Sequence, residues 1–321
     1  MRKSFILIGF GLIIGSLAFP QNAINNLSFG YDYHMISDNY NIFTFKTFDS
    51  YATAYDINSG DYKILSLPSL QNISDMKIQY ANTLQDGYLL AVSFIKSSKN
   101  DAKGKTASGI FFYDKDATYK DMFNFSDRKF IAAAPWDAQN IVIFWFKIAA
   151  ENKERWILAD LTIVDHKGHW VADIQPQVFY DPTEFFEKYS TAWSECRLYW
   201  QNNILMLVDS ISSEVVYINK EMVVIKRIKG KPDAVPGSAK KVMSGIFKVS
   251  SKHIALLDAF NTPGGIQRYW VDMDQPDMVN PRNVKANKIL IIGDQYYLSK
   301  PTPSGTALFL ITEENWQSLL K

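Results

Sequence analysis

The sequence contains a single cysteine, Cys196, among its 321 residues. One cysteine excludes an intramolecular disulfide and any paired-cysteine redox or metal motif, so the fold must be stabilised by packing. An excess of one charge is missing too, because 34 basic and 33 acidic residues leave a formal net charge of +1. Nucleic acids require a broad basic surface, so we expect no nucleic-acid partner.

Long apolar runs are confined to the N-terminus. Arg2 and Lys3 precede an apolar run from Phe5 to Leu17, and Ser16-Leu17-Ala18 places small residues at the two positions that signal peptidase reads. The run is shorter than the ~20 residues needed to span a bilayer. The pattern predicts a signal peptide over residues 1–18 and a secreted or periplasmic chain without a stable membrane span; a retained anchor is the alternative.

Signatures of catalysis and of cofactor binding are also missing. The sequence has no phosphate-cradling glycine loop and no recognisable Ser-His-Asp set. Asp165, His166 and His169 are residue types that bind metals, but they lie in one regular hairpin turn. His166 and His169 flank its Lys-Gly pair, and no third convergent ligand follows in the neighbouring sequence. We therefore expect no metal and no cofactor, and we regard the chain as more consistent with a binding protein than with an enzyme.

What the sequence does contain is a repeat. Strand-like residues are followed by Asp, Asn or Thr, a polar turn and a large apolar residue that opens another strand, Trp316 in the last copy. The polar markers lie at positions 56, 114, 165, 219, 272 and 312. Two further strand-like runs precede each hairpin, for example residues 130–133 and 141–146 in the third unit. Repeating units of four antiparallel strands are typical of propeller blades. The sequence predicts an all-β, six-bladed β-propeller over residues 19–321, with a pair of β-sandwiches as the alternative.

In its period and blade layout, the chain resembles the six-bladed propellers of the TolB-like and NHL-like group. This resemblance implies that the innermost strand of each blade lines a central channel. It also implies that ligands bind over the channel mouth, on the face that carries the loops between second and third strands and the connections between blades. We call this the loop face, and the opposite one, which carries the repeated hairpin turns, the turn face.

Irregular segments assigned to the loop face supply the first candidate binding residues. These segments are 97–106, 149–155, 176–192, 230–241 and 261–265. In the longest, Asp181-Pro182-Thr183-Glu184 predicts the start of a short helical insertion. Its aromatic residues, with the adjoining Trp193, suit ligand or partner recognition, or else they plug the channel. They are Phe179, Tyr180, Phe185, Phe186, Tyr189 and Trp193.

Charged residues supply the second candidate set. Asp75 and Lys77 are two residues apart in a predicted inner strand, and so are Glu195 and Arg197, so alternation places each pair on one face of its strand. If that face lines the channel, the charges converge there, either as a ligand site or as ion pairs in a hydrated tunnel. Cys196 should point the opposite way, into packing between blades.

Together these patterns favour a secreted or periplasmic binding module that recognises a protein, peptide or glycan on its loop face. The alternative is a propeller hydrolase or lyase with residues such as Glu195 at the central channel. A structural role within an envelope assembly is the third reading.

Overall fold

The computed structural model describes residues 34–320 except 39, 47, 99–100, 126–127, 152–153, 181–194, 231–239, 263–264, 276–278, 281–287 and 304. These residues form six antiparallel sheets, each built from consecutive strands. Neighbouring sheets contact one another in chain order, and the sixth sheet contacts the first. The chain is therefore a six-bladed β-propeller, as the repeat predicts.

The first three blades each contain four strands, which run outward from the channel in chain order. Blade 1 contains β1 (His34–Ser37), β2 (Asn41–Phe45), β3 (Tyr51–Asp56) and β4 (Tyr62–Ser66). Blade 2 contains β5 (Ile73–Leu84), β6 (Gly87–Ser98), β7 (Asp101–Asp114) and β8 (Tyr119–Phe125). Blade 3 contains β9 (Lys129–Pro135), β10 (Asn140–Glu151), β11 (Glu154–Asp165) and β12 (Trp170–Tyr180).

The last three blades complete the ring, and blade 6 has three strands among the described residues. Blade 4 contains β13 (Arg197–Gln201), β14 (Ile204–Asp209), β15 (Glu214–Ile218) and β16 (Val224–Lys229). Blade 5 contains β17 (Lys240–Val249), β18 (Lys252–Thr262), β19 (Gly265–Asp272) and β20 (Val279–Asn280). Blade 6 contains β21 (Lys288–Ile292), β22 (Gln295–Thr302) and β23 (Gly305–Leu310).

The repeated hairpin turn has one local cause. In each of the first five blades, the marker side chain accepts hydrogen bonds from backbone N–H groups two to four residues later in the same turn. Asp and Asn favour such turns because their short side chains can replace a backbone acceptor. The five equivalent markers are Asp56, Asp114, Asp165, Asn219 and Asp272.

The sixth marker, Thr312, leads into a helix instead of a strand. Residues Trp316–Leu319 form helix α1, whose first N–H donates to the Thr312 carbonyl at 3.1 Å. The indole of Trp316 packs edge-on against Trp270 of blade 5, with centroids 5.0 Å apart. The expectation that Trp316 opens a strand was wrong, because residues 316–319 are helical and the half-buried Trp316 ring packs on the neighbouring blade. No helix among the described residues is long and apolar enough to cross a membrane.

The core lies between the blades. The central strands of each blade are covered on both faces by neighbouring sheets, so they consist of continuous apolar runs such as 141–146, which is buried throughout. Two hydrogen bonds join the first and last blades where the ring closes. The Ser37 hydroxyl donates to the carbonyl of Ile291 at 2.8 Å and accepts from the N–H of the same residue at 2.9 Å. Blades 1 and 6 are thereby joined directly at the channel.

The loop face differs from the prediction in three blades. Residues 97–106, 149–155 and 261–265 were expected to be irregular, but their strands stay paired almost to the tips, at Ser98 with Asp101, Glu151 with Glu154, and Thr262 with Gly265. These segments contain too little apolar alternation to be recognised as strands from the sequence alone. Blades 2, 3 and 5 thus carry extended hairpins on this face.

Candidate functional site

Charged side chains from different blades meet where the inner strands begin, at the loop-face end of the channel. Glu195 lies in the turn before β13, and its carboxylate is 3.2 Å from the ammonium of Lys288 and 3.8 Å from the guanidinium of Arg197. All three side chains are between 15 and 19% exposed. The predicted pairing of Glu195 with Arg197 is therefore observed, and blade 6 adds a lysine that sequence spacing could not supply.

A second ion pair from blade 5 lies close to this group. Arg268 on β19 binds both carboxylate oxygens of Asp258 on β18, and Ser244 donates to the same carboxylate at 3.1 Å. The Arg268 charge acts on both Glu195 and Lys288. We call these five charged residues, Glu195, Arg197, Asp258, Arg268 and Lys288, the mouth cluster.

The cations of the mouth cluster set the protonation of Glu195. Burial would raise the pKa of this carboxyl, but the charges of Lys288 and Arg197 and the hydrogen bond from Lys288 outweigh burial and hold the pKa below its usual value. Burial lowers the pKa of Lys288, and the two nearby guanidinium groups lower it further. The Glu195 carboxylate raises the pKa of Lys288 but does not offset these effects. Burial and Lys288 likewise lower the pKa of His34, at the start of β1. Glu195 is therefore an ionised carboxylate at neutral pH.

Asp75 and Lys77 do not join the mouth cluster. Ser74 pairs with Ile95 and Lys77 with Ser93, so β5 contains one extra residue between them. Asp75 occupies this bulge with a φ of 50° and is exposed. The ammonium of Lys77 lies 5.0 Å from the ring centroid of Phe48. Placing both residues on one strand face was wrong, because a bulge breaks the alternation on which that inference depends.

Of the six predicted aromatic residues, two lie on a described strand and four lie outside the described residues. Phe179 and Tyr180 belong to β12, the outermost strand of blade 3, where they pair with Leu158 and Ile157. The expected insertion therefore does not begin at residue 176. Phe185, Phe186, Tyr189 and Trp193, and the helix predicted at residue 181, lie outside the described residues.

The cysteine and the two turn histidines are engaged in packing or in contacts within their own turn. Cys196 is fully buried in the core, as predicted, and burial raises the pKa of its thiol. The ring of His166 packs on Phe112 at 4.8 Å, and His169 lies 2.9 Å from its own turn carboxylate, Asp165. Within the described part of the chain, no three His, Cys, Asp or Glu side chains are grouped so that they could hold a metal ion.

Buried aromatic side chains fill the middle of the channel. The hydroxyl of Tyr80 in blade 2 reaches the backbone of Leu198 in blade 4 at 3.5 Å, and its ring lies 5.7 Å from that of Phe130. Nearer the turn face, the hydroxyl of Tyr296 in blade 6 donates to Gln201 in blade 4 at 3.3 Å. These contacts cross the channel between blades that are not neighbours.

Sequence reasoning missed a cavity of about 610 Å³ on the turn face. It is surrounded by the turns that follow the inner strands of blades 1, 2, 3, 4 and 6. Trp136 and Trp200 line it with ring centroids 5.3 Å apart, and the Trp200 indole donates to the carbonyl of Pro135 at 2.6 Å. The available signal was a tryptophan within one residue of the end of two inner strands, Trp136 after β9 and Trp200 in β13. It was overlooked because sites were sought on the loop face.

No family model matches the chain, and no curated protein matches it. Among solved structures it is similar to a luciferin-regenerating enzyme, with 11% identity and a TM-score of 0.45 over 91% of this chain and 94% of that one. It is also similar to a calcium-binding regucalcin from Agrobacterium tumefaciens, with 12% identity and a TM-score of 0.40 over 91% and 93% of the two chains. The β-propeller domain of the Trilobed protease from Pyrococcus furiosus gives 11% identity and a TM-score of 0.35 over 76% and 82%.

Proposed function

We propose that the protein is a secreted or periplasmic binding module that recognises a protein, peptide or glycan on its loop face. In this proposal residues 1–18 are a signal peptide, and the mature chain is a ligand-binding scaffold of the TolB-like kind. In this proposal the mouth cluster is the polar centre of the binding surface, and Phe185, Phe186, Tyr189 and Trp193 contribute aromatic contacts to the ligand.

The extended hairpins are the observation that carries the proposal. The second and third strands of blades 2 and 3 have 12 to 14 residues, whereas those of blades 1 and 4 have five or six. The additional length lies at the loop-face end of each hairpin, where the strands remain paired. Ordering these additional residues costs conformational entropy. Segments that project from a rigid scaffold commonly carry the residues that bind a ligand, so the hairpins support a binding role.

The protonation of Glu195 makes the hydrolase or lyase alternative less well supported. A general acid at neutral pH needs a raised carboxyl pKa, whereas Lys288 and Arg197 hold that of Glu195 below its usual value. A carboxylate stabilised in this way is also a weak base. The thiol of Cys196 is buried and protonated, so it cannot act as the nucleophile instead.

Charge reversal on each face tests the location of the ligand. Lys96 and Lys105 are exposed cross-strand partners in the blade 2 hairpin, and Lys115 and Lys167 are exposed in turn-face hairpins. We expect Lys96→Glu with Lys105→Glu to remove the tightest binding on glycan and peptide arrays, and Lys115→Glu with Lys167→Glu to preserve it. The opposite result would place the ligand on the turn face and contradict the proposal.

A substrate screen tests the absence of catalysis. We expect no turnover of glycans, lactones or esters by the wild-type protein. A reproducible activity that is lost in Glu195→Gln, with the folded structure intact by circular dichroism, would favour the enzyme alternative instead.

Aromatic truncation tests whether the segment 181–193 binds a ligand or plugs the channel. If Phe185 or Phe186 contacts a ligand, its change to Ala should weaken binding by ~2 kcal/mol or more and leave unfolding unchanged. If it plugs the channel, the same change should lower the free energy of unfolding by ~3–5 kcal/mol. Loss of stability in both variants would remove the aromatic part of the proposal.

A further inference from the structure

We infer that the turn-face cavity is a second binding site, and that its ligand is an uncharged sugar ring such as a hexopyranose. This site lies at the opposite end of the channel from the mouth cluster, with the buried contacts of Tyr80 and Tyr296 between them. The inference does not depend on the proposed function of the loop face.

The size and construction of the cavity fit a small ligand. A volume of about 610 Å³ lies within the ~300–1,000 Å³ of typical small-molecule sites. Its lining comes from five blades and is tied together by buried hydrogen bonds between them. Asn82 of blade 2 donates to the carbonyl of Ala133 in blade 3 at 2.9 Å, and Asp38 of blade 1 accepts from the N–H of Thr83 in blade 2 at 2.8 Å. The walls are therefore held rigidly before any ligand arrives.

The carboxylates at this site are largely occupied by the protein itself. Asp38 is buried and accepts from the N–H groups of Tyr40, Asn41 and Thr83 at 2.8–2.9 Å. Asp137 accepts from the backbone and side chain of its own turn at 2.8–3.0 Å. Asp137, Asp294 and Lys220 carry the exposed charges of the lining, and together they leave one net negative charge. The lining therefore disfavours an anion, and one excess negative charge in open solvent attracts a cation only weakly.

What remains for a ligand is aromatic surface and neutral amides. The half-buried rings of Trp136 and Trp200 provide apolar surface, and the second ring is fixed by its own hydrogen bond to Pro135. Gln85, Asn202 and Asn203 line the cavity with exposed side chains, and each amide offers both donors and an acceptor. A sugar ring matches this combination, because its C–H face is apolar while its hydroxyl groups donate and accept at the edges.

Titration calorimetry with defined probes tests this inference. We expect methyl glycosides of glucose, galactose or mannose to bind, at least one of them with a Kd near or below ~1 mM. The acyclic polyol sorbitol is the matched control, because it has hydroxyl groups but no ring face, and it should bind at least ten-fold more weakly. Choline and its neutral isostere 3,3-dimethylbutan-1-ol test a cation site in the same cavity.

Two pairs of variants assign the binding to the cavity. Trp136→Ala should weaken sugar binding about ten-fold or more, while Trp136→Phe, which keeps an aromatic face, should weaken it less. Trp170→Ala removes an exposed turn-face indole outside the cavity and should have no effect. Gln85→Ala should weaken binding by roughly two- to ten-fold through a lost hydrogen bond, whereas Gln139→Ala, an exposed turn residue outside the lining, should not.

Three outcomes would overturn the inference. The first is that no methyl glycoside binds more tightly than sorbitol. The second is that sugar binding survives in both Trp136→Ala and Gln85→Ala. The third is that choline binds while its neutral isostere and the glycosides do not, which would make the cavity a cation site. Because Gln85 is exposed, its variant should fold even if a tryptophan variant does not.

Discussion

Neutralising Glu195 is the most direct perturbation of the mouth cluster. Glu195→Gln keeps the size of the side chain but removes the carboxylate charge that pairs with Lys288, 3.2 Å away, and with Arg197, 3.8 Å away. Removing one partner of a fully buried ion pair costs ~3–5 kcal/mol. These side chains are 15–19% exposed, so water screens part of the loss, and we expect Glu195→Gln to be destabilised by about 2–3 kcal/mol at pH 7 and to remain folded.

Urea unfolding, followed by circular dichroism, measures this loss. With an m-value of about 3 kcal/mol/M, the expected destabilisation lowers the midpoint by roughly 0.7–1 M. Glu313→Gln neutralises an exposed glutamate and should stay within about 0.5 kcal/mol of wild type. In a double-mutant cycle, Lys288→Met should cost less in the Glu195→Gln background than in wild type, because the ion pair has already been removed.

The pH dependence gives a second check with a defined sign. The pKa of Glu195 in the folded protein is below the 4.5 of an unperturbed glutamate. A depressed carboxyl pKa contributes stability that is fully present above the unfolded value and is lost as pH falls through the folded value. The difference between wild type and Glu195→Gln should therefore be constant from pH 8 to about pH 5.5 and shrink below about pH 4.5. Equal stability at pH 7, or a difference that grows on acidification, would refute the reasoning.

Three further predictions follow from the blade contacts and the N-terminus. Ser37→Ala removes both hydrogen bonds to Ile291 and should lower the free energy of unfolding by ~1–3 kcal/mol in urea titrations; an unchanged midpoint would show that this contact does not help to close the ring. Asn219→Ala should cost ~1 kcal/mol through the lost hydrogen bond from Val223, while Asn219→Asp should be tolerated because Asp occupies the equivalent position in four other blades. Mass spectrometry of the protein from its native host should find a mature chain that begins near Phe19, and an intact Met1 in a detergent-requiring membrane fraction would instead show an anchor.

Local patterns were sufficient where short-range chemistry decides the structure. The hairpin markers act within their own turns, so Asp56 and its four equivalents could be found from the residues around them. The pairing of Glu195 with Arg197 depended only on a spacing of two residues. The same argument failed at Asp75, because a bulge in β5 is created by pairing with β6 and has no distinct sequence signal.

Apolar periodicity also failed in the extended hairpins of the loop face. Residues 97–106 and 149–155 contain too few alternating apolar residues to predict strands, yet β6 with β7 and β10 with β11 remain paired through them. The hydrogen bonds that extend these hairpins are made between backbones, which carry no residue-type pattern. At the other end of the chain, Trp316 was read as the start of a strand, although its ring packs on blade 5.

The sequence by itself determined the six-fold repeat and its hairpin turns, because each blade is a local unit whose turns and strands are coded by neighbouring residues. Only the tertiary structure decided which side chains meet at the two ends of the channel. Lys288 reaches Glu195 across 93 positions of the sequence (288 − 195), and Trp136 meets Trp200 across 64 (200 − 136). Closing six separate sheets into a ring brings their inner strands together, and no pattern within one blade records which residues the other blades place opposite it.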